Sequence, residues 1–128
     1  MIILDANILI GLFDPYDLKH ALSEQLLIDH GNERLALSAL TLTEFLIRPA
    51  AVGKAAQAED FVTDMGIIVI PLLAQDARHI AQVRAVSGLK LPDAVVLWLA
   101  QSSVASVMTM DERLAKAALG MGVPVLPA

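Results

Sequence analysis

Five short apolar runs, each separated from the next by helical periodicity, constrain this chain more than any other feature. The runs are Ile2–Leu4, Leu35–Leu37, Ile67–Ile70, Val107–Thr109 and Pro124–Leu126. The last three are β-branched runs between turn signals, and all five have the length of strands rather than helices. Helical patterns fill the gaps over Asn7–Phe13, Asp17–His30, Leu40–Arg48, Lys54–Met65, Gln75–Ser87, Pro92–Gln101 and Glu112–Leu119. Asp14-Pro15 marks a break, Arg48-Pro49 is expected to end one helix, and Gly120-Met121-Gly122 stops the last helix before the final strand. This alternation predicts an α/β fold: a three-layer α/β/α sandwich around a short, mainly parallel five-stranded sheet. With 128 residues and no repeat, linker or low-complexity tract, residues 1–128 are expected to form a single domain.

That architecture gives four acids a common address. Asp5 ends the first strand, and Asp111 follows the run Val107–Thr109. Glu44 lies early in the helix after Leu35–Leu37, and Asp93 lies in the first turn of the helix from Pro92. In a parallel sheet with right-handed crossovers, strands end and the following helices begin on one edge. Two helices separate the third and fourth strands. The second must run antiparallel to the strand it feeds, which brings Asp93 to the same edge. Four uncompensated carboxylates in one crevice repel, and divalent cations are the usual remedy.

Each acid taken alone has an ordinary structural role available. Thr41 to Glu44 fits a capping box in which Glu44 reaches back to the Thr41 amide, and Thr109 to Glu112 fits another. Asp111 and Asp93 would then be first-turn acids favoured by the helix dipole. Ser38 and Thr41 read most simply as helix caps. Asp5 would be a turn former, although an acid directly after four apolar strand residues is an odd choice unless something binds there.

Composition removes several other chemistries. There is no cysteine, hence no disulfide and no thiolate metal site. His20, His30 and His79 lack the spacing of a zinc-peptidase pair and read as surface or capping residues. No Ser-His-Asp arrangement competes, and Gly120 and Gly122 precede a strand rather than joining strand to helix as a phosphate loop would. No apolar run approaches ~18 residues, so no membrane span is expected. The N-terminus lacks a basic region and a cleavage pattern, so no signal peptide is expected, and a cytoplasmic location fits. The net charge of −5 weighs against broad coating of nucleic acid. Two bound divalent ions would bring it to about −1 and reverse the local field. A mean hydropathy of +0.64 predicts an apolar patch left for self-association or a partner.

Read in order, four segments resemble the PIN-domain nucleases, and more narrowly the VapC-type toxin ribonucleases of toxin–antitoxin pairs. The first is Leu4-Asp5-Ala6-Asn7-Ile8-Leu9-Ile10, followed by Phe13-Asp14-Pro15 and His20. The others are Ser38 through Glu44, Gly88 through Ala94, and Thr109-Met110-Asp111-Glu112-Arg113-Leu114. The resemblance implies a PIN-like fold and a metal-dependent endoribonuclease that hydrolyses RNA phosphodiester bonds. It also implies one or two Mg²⁺ or Mn²⁺ ions held by Asp5, Glu44, Asp93 and Asp111, with Asn7 and Thr109 orienting ligands or substrate. Hydrolysis by an activated water would leave 5′-phosphate and 3′-hydroxyl ends. The implied partners are an RNA substrate, a small antitoxin protein carrying a basic residue in its docking segment, and a second copy in a homodimer.

Arg48, Lys90 and Arg113 stand near the acids in sequence and are the candidates for RNA phosphates; as solvated surface charges they need no such role. Three other functions compete. One is a catalytically idle PIN-like module that binds RNA or protein. Another is a Mg-dependent phosphohydrolase, which would want an acid where this chain has Asn7. The last is a plain interaction protein using an alanine-rich helix such as Lys54–Met65.

Overall fold

A computed structural model describes all 128 residues. Five strands, β1 (Ile2–Leu4), β2 (Leu35–Ser38), β3 (Ile68–Ile70), β4 (Ser106–Met108) and β5 (Val125–Leu126), form one sheet in the order β3-β2-β1-β4-β5. Every pairing is parallel, including Ile3 opposite Ala36 and Val107, so the expected sheet is parallel throughout. Seven helices connect the strands: α1 (Ala6–Phe13), α2 (His20–Asp29), α3 (Ala39–Ala51), α4 (Ala55–Asp64), α5 (Ala77–Ser87), α6 (Leu91–Ser102) and α7 (Glu112–Gly120).

Strand alternation divides the interior into two cores. Ile2 and Leu4 point to one face, where Ile8, Leu9, Leu26, Phe45 and Val62 of α1 to α4 cover them. Ile3 points to the other, beneath Leu97, Leu114 and Ala118 of α6 and α7. Phe13 packs edge-on against Phe45 and Phe61, with ring centroids 5.6 and 5.3 Å away. Gly11 lets α2 come close to α1, since a Cβ there would lie 2.6 Å from Ser23 Oγ. No helix is long and apolar enough to cross a membrane.

The path of the chain places the site. From β1 it moves outward through β2 to β3, then returns across the sheet to β4 on the other side of β1. The connections leaving β1 and β4 therefore diverge, and a crevice opens beyond the carboxyl ends of these neighbours. Such a switch point is where open parallel sheets bind ligands.

Several expected boundaries move. Helix α2 begins at His20 rather than Asp17, because the Asp14 and Asp17 carboxylates accept the Tyr16 and Lys19 amides at 2.9 and 2.8 Å, holding those residues in turns. Helix α3 continues through Pro49 to Ala51 instead of ending at Arg48. A proline in the last turn costs only one intrahelical bond, its ring is buried, and its carbonyl accepts the Lys54 amide at 2.7 Å. Strand β4 ends at Met108, which leaves Thr109 free of the strand's pleat while its amide still bonds the Leu126 carbonyl at 3.0 Å.

Candidate active site

Asp5 sits at the end of β1, buried to 6% exposure, with its backbone amide donating to the Met108 carbonyl at 3.0 Å. It is the N-cap of α1. Its Oδ1 accepts the Ala6 amide at 2.8 Å, and its Oδ2 accepts the Thr109 hydroxyl at 2.6 Å. The same hydroxyl oxygen accepts the Asp111 amide at 3.0 Å and the Asn7 side-chain amide at 3.5 Å. Asn7 Oδ1 in turn accepts the Met110 amide at 3.4 Å. Thr109 thus ties the end of β1 to the start of α7, with its one proton committed to Asp5 and both lone pairs in use.

Asp111 is the N-cap of α7. Its Oδ1 accepts the amides of Arg113 and Leu114 at 2.8 and 3.3 Å, and its Oδ2 has no hydrogen-bond partner. The capping box expected over Thr109 to Glu112 is therefore absent, because Asp111 itself takes the cap and Thr109 turns toward Asp5. The box expected over Thr41 to Glu44 is absent too. Ser38 caps α3 by accepting the Thr41 amide at 3.1 Å, while the Ser38 and Thr41 hydroxyls lie 3.2 Å apart. Helix α3 consequently begins three residues earlier than that box requires, and Glu44 falls in the second turn with no hydrogen bond to its carboxylate. Asp93, in the first turn of α6, also has no side-chain bond.

The carboxylates feel one another. Burial pushes the Asp5 carboxyl upward, offset in part by the Thr109 and Ala6 donors and reinforced by the charge of Asp111. Burial also raises Glu44, aided by repulsion from Asp5 and Asp93. Asp93 is pushed up to about 6, first by burial, then by Asp5 and Asp111, with Lys90 and Arg113 pulling it back. These couplings bring all four acids into one field and put Lys90 and Arg113 beside it. Arg48 lies elsewhere: with Lys54 and Asp14 it lines a separate hollow of about 240 Å³, walled by Phe13, Phe45 and Val52. The histidines lie away from the acids: His20 meets the Gly11 carbonyl and Glu24, His30 meets Glu33, and His79 lines a surface hollow with Trp98.

No three acidic or histidine side chains stand close enough to ligate one ion directly. The donor chemistry nevertheless fits a hard divalent cation. It consists of carboxylates only, two of them, Glu44 and Asp93, without hydrogen bonds, in a half-buried crevice whose members repel. Mg²⁺ typically takes one or two carboxylates and keeps several waters, so acids spaced beyond direct contact with one centre suit it.

Residues 2–119 match the PIN domain family. The chain belongs to that family. No curated protein sequence matches it. Among solved structures, this PIN domain is similar to a chain of a toxin–antitoxin complex from Klebsiella pneumoniae, with 23% identity and a TM-score of 0.80 over 100% of this chain and 98% of that one. It is similar to a VapC toxin of Mycobacterium tuberculosis described as cleaving the sarcin–ricin loop, with 14% identity and a TM-score of 0.78 over 91% and 95%. The FitAcB structure from Neisseria gonorrhoeae follows at 21% identity and a TM-score of 0.69 over 98% and 96%. At these identities the likeness is one of fold, and it agrees with the three-layer PIN-like architecture expected from the sequence.

Proposed function

We propose that this PIN domain is a divalent-metal-dependent endoribonuclease and the toxin of a type II toxin–antitoxin pair. The observation that carries the reading is the convergence of Asp5, Glu44, Asp93 and Asp111 at the switch point of a parallel sheet, where burial first and mutual repulsion second raise three of them. Asp5, Asp93 and Asp111 would hold Mg²⁺ or Mn²⁺, directly or through water, and Glu44 would hold an ion or position the attacking water. When bound, such an ion supplies positive charge to the phosphate oxygens and makes a neighbouring water more acidic.

The chain's own residues do the rest. Thr109 fixes the Asp5 carboxylate by donating its only proton to it, so Asp5 presents its remaining lone pairs in a set direction. Asn7 braces the same corner through Thr109 and the Met110 amide. Asp93, free of hydrogen bonds and raised to about 6, is the group suited to accept a proton near neutral pH, and Glu44, raised by burial and by its acidic neighbours, stands beside it. Lys90 and Arg113 sit where they offset the charge of Asp93 and meet the phosphate of a bound strand.

The neighbour of similar fold that comes from a toxin–antitoxin complex of Klebsiella pneumoniae supports a protein inhibitor for this chain. So does the apolar surface left uncovered, including Ile47 and Val52 on α3 and the turn after it. Ile68 and Val69, exposed on the edge strand β3, favour a homodimer. Incubation of the purified chain with single-stranded RNA and Mn²⁺ tests the catalytic part. Fragments with 5′-phosphate ends that disappear in Asp5→Asn are the expected result, and 2′,3′-cyclic phosphate ends or undiminished cleavage by Asp5→Asn would overturn it.

A further inference from the structure

A groove of about 550 Å³ runs along one side of α7, between that helix and the segment Val86–Leu89 at the end of α5. The α7 residues that line it, Arg113, Lys116, Ala117 and Gly120, form one stripe down the helix. The groove therefore starts at the acid crevice, where Asp111 caps the helix, and leads away from it for about 10 Å, given a rise of 1.5 Å per residue. Its lining includes two cations and no acid, in a chain that carries −5 overall. Neither cation forms a close charge pair within the molecule, where the only such pairs join His20 to Glu24 and His30 to Glu33, and Arg113 acts on Asp93 from beyond that range. Lys90 extends the same ribbon of charge to the mouth of the crevice, placed there by Gly88, whose φ of +70° turns the chain out of α5.

We infer that this α7 groove is the track for the phosphate backbone of the RNA strand on one side of the cleaved bond, with Lys116 as its outer anchor. The inference rests on the ribonuclease reading for its substrate, and it adds a residue that lies outside the acid cluster and a direction for the strand. Charge decides the occupant: an anionic polymer meets Lys90 and Arg113 at the crevice and then Lys116, about 4.5 Å further along the helix axis. Val86, at 75% exposure, and the half-buried Ala117 and Met121 supply an apolar surface beside the cations for ribose and base faces. The groove has no aromatic platform, so contact through phosphates dominates and the track is tolerant of sequence.

Fluorescence anisotropy with a short labelled single-stranded RNA in Mg²⁺, using folded Asp5→Asn protein so that the probe stays intact, measures the track directly. Adding Lys116→Gln is expected to weaken binding several-fold and to lower the slope of log affinity against log salt by about 0.7, the loss of one phosphate contact. Lys54→Gln, an exposed cation in the separate hollow, is the control and is expected to leave that slope unchanged. In the otherwise wild-type chain, Lys116→Gln is expected to raise KM with little change in kcat. Parent affinity and slope in Lys116→Gln, an equal loss in Lys54→Gln, or no RNA binding by the parent would each overturn the track. Unchanged RNA binding together with weakened polyglutamate binding would assign the groove to an acidic protein segment instead. If the wild-type chain binds RNA through Lys116 yet cleaves nothing in Mn²⁺, the track stands and the nuclease reading falls.

Discussion

The two halves of the acid cluster are built on opposite principles. Asp5 and Asp111 are held by hydrogen bonds: each caps a helix, and Thr109 bridges them by donating to one carboxylate and accepting the other's amide. Glu44 and Asp93 project from helices with no hydrogen bond to either carboxylate. The fixed half is positioned by the backbone at the ends of β1 and β4. The free half is held only by helix packing and by the repulsion it feels. A cluster of this kind keeps a preorganised corner and two groups able to adjust when charge enters the crevice.

The largest expected effect breaks the fixed half. Asp5→Asn is expected to lower Mn²⁺-dependent RNA cleavage by more than about 100-fold, beyond the 10- to 100-fold typical of losing a residue that merely supports a ligand. Substantial activity in the folded variant would remove Asp5 from the machinery. Thr109→Val tests the bridge itself: it keeps the shape, deletes the hydroxyl, and leaves Asp5 with one donor. A loss of about 10- to 100-fold in activity is expected, with about 1–3 kcal/mol of stability. Thr109→Ser should restore most of both. Equal damage from Ser and Val in denaturant melts and cleavage assays would mean that packing, not the hydroxyl, is what matters.

Metal should act on both halves at once by cancelling repulsion. At a hundred times its dissociation constant, Mn²⁺ is expected to stabilise the fold by about 2.7 kcal/mol. A melting temperature unmoved by saturating Mn²⁺ at neutral pH would count against the site.

The smallest effect belongs to the free half and separates it from the fixed one. The Asp93 carboxyl lies at about 6 in the folded chain against an ordinary 3.8, so between those values the folded state holds more protons than the unfolded one. Stability in chelator is therefore expected to fall as pH rises through that window and to level off above it. Metal affinity should rise over the same range as Asp93 ionises. Asp93→Asn should flatten part of the stability profile and raise the melting temperature of the metal-free protein slightly, while Asp5→Asn loses its charge and also weakens the bonds accepted from Thr109 and Ala6. Thermal melts in EDTA from about pH 3 to 7, which span the 3.8 to about 6 window, read this difference. An identical profile in Asp93→Asn would show that other groups carry the pH dependence.

Periodicity alone located every strand and helix, with limits shifting by up to about three residues. The shifts have local causes that are hard to rank from sequence. Asp17 resembles a helix start, yet it serves a turn, because its carboxylate finds the Lys19 amide two residues on. Pro49 resembles a helix stop, yet one lost bond near a helix end is outweighed by burial of the ring against its surroundings. Thr41 to Glu44 has the residues of a capping box, and Ser38 takes the cap first. Arg48 shares a helix with Glu44, and that helix turns it toward a different hollow from the crevice. Lys116 was legible only as a cation three residues after Arg113; what makes it notable is the wall opposite, supplied by α5 some thirty residues earlier in the chain.

The sequence by itself determined the parallel α/β architecture and the edge on which four acids meet. Both follow from local periodicity and from the handedness that parallel crossovers impose on any chain of this pattern. Only the tertiary structure decided the strand order that opens the crevice between β1 and β4, and the division of the acids into a bonded pair and a free pair. It also decided which of the scattered cations face them. These depend on bonds between residues about a hundred positions apart, such as Thr109 to Asp5, and on which hydroxyl reaches which carboxylate once two cores have packed against the sheet. Local sequence sets the candidates for such bonds, and long-range packing selects among them.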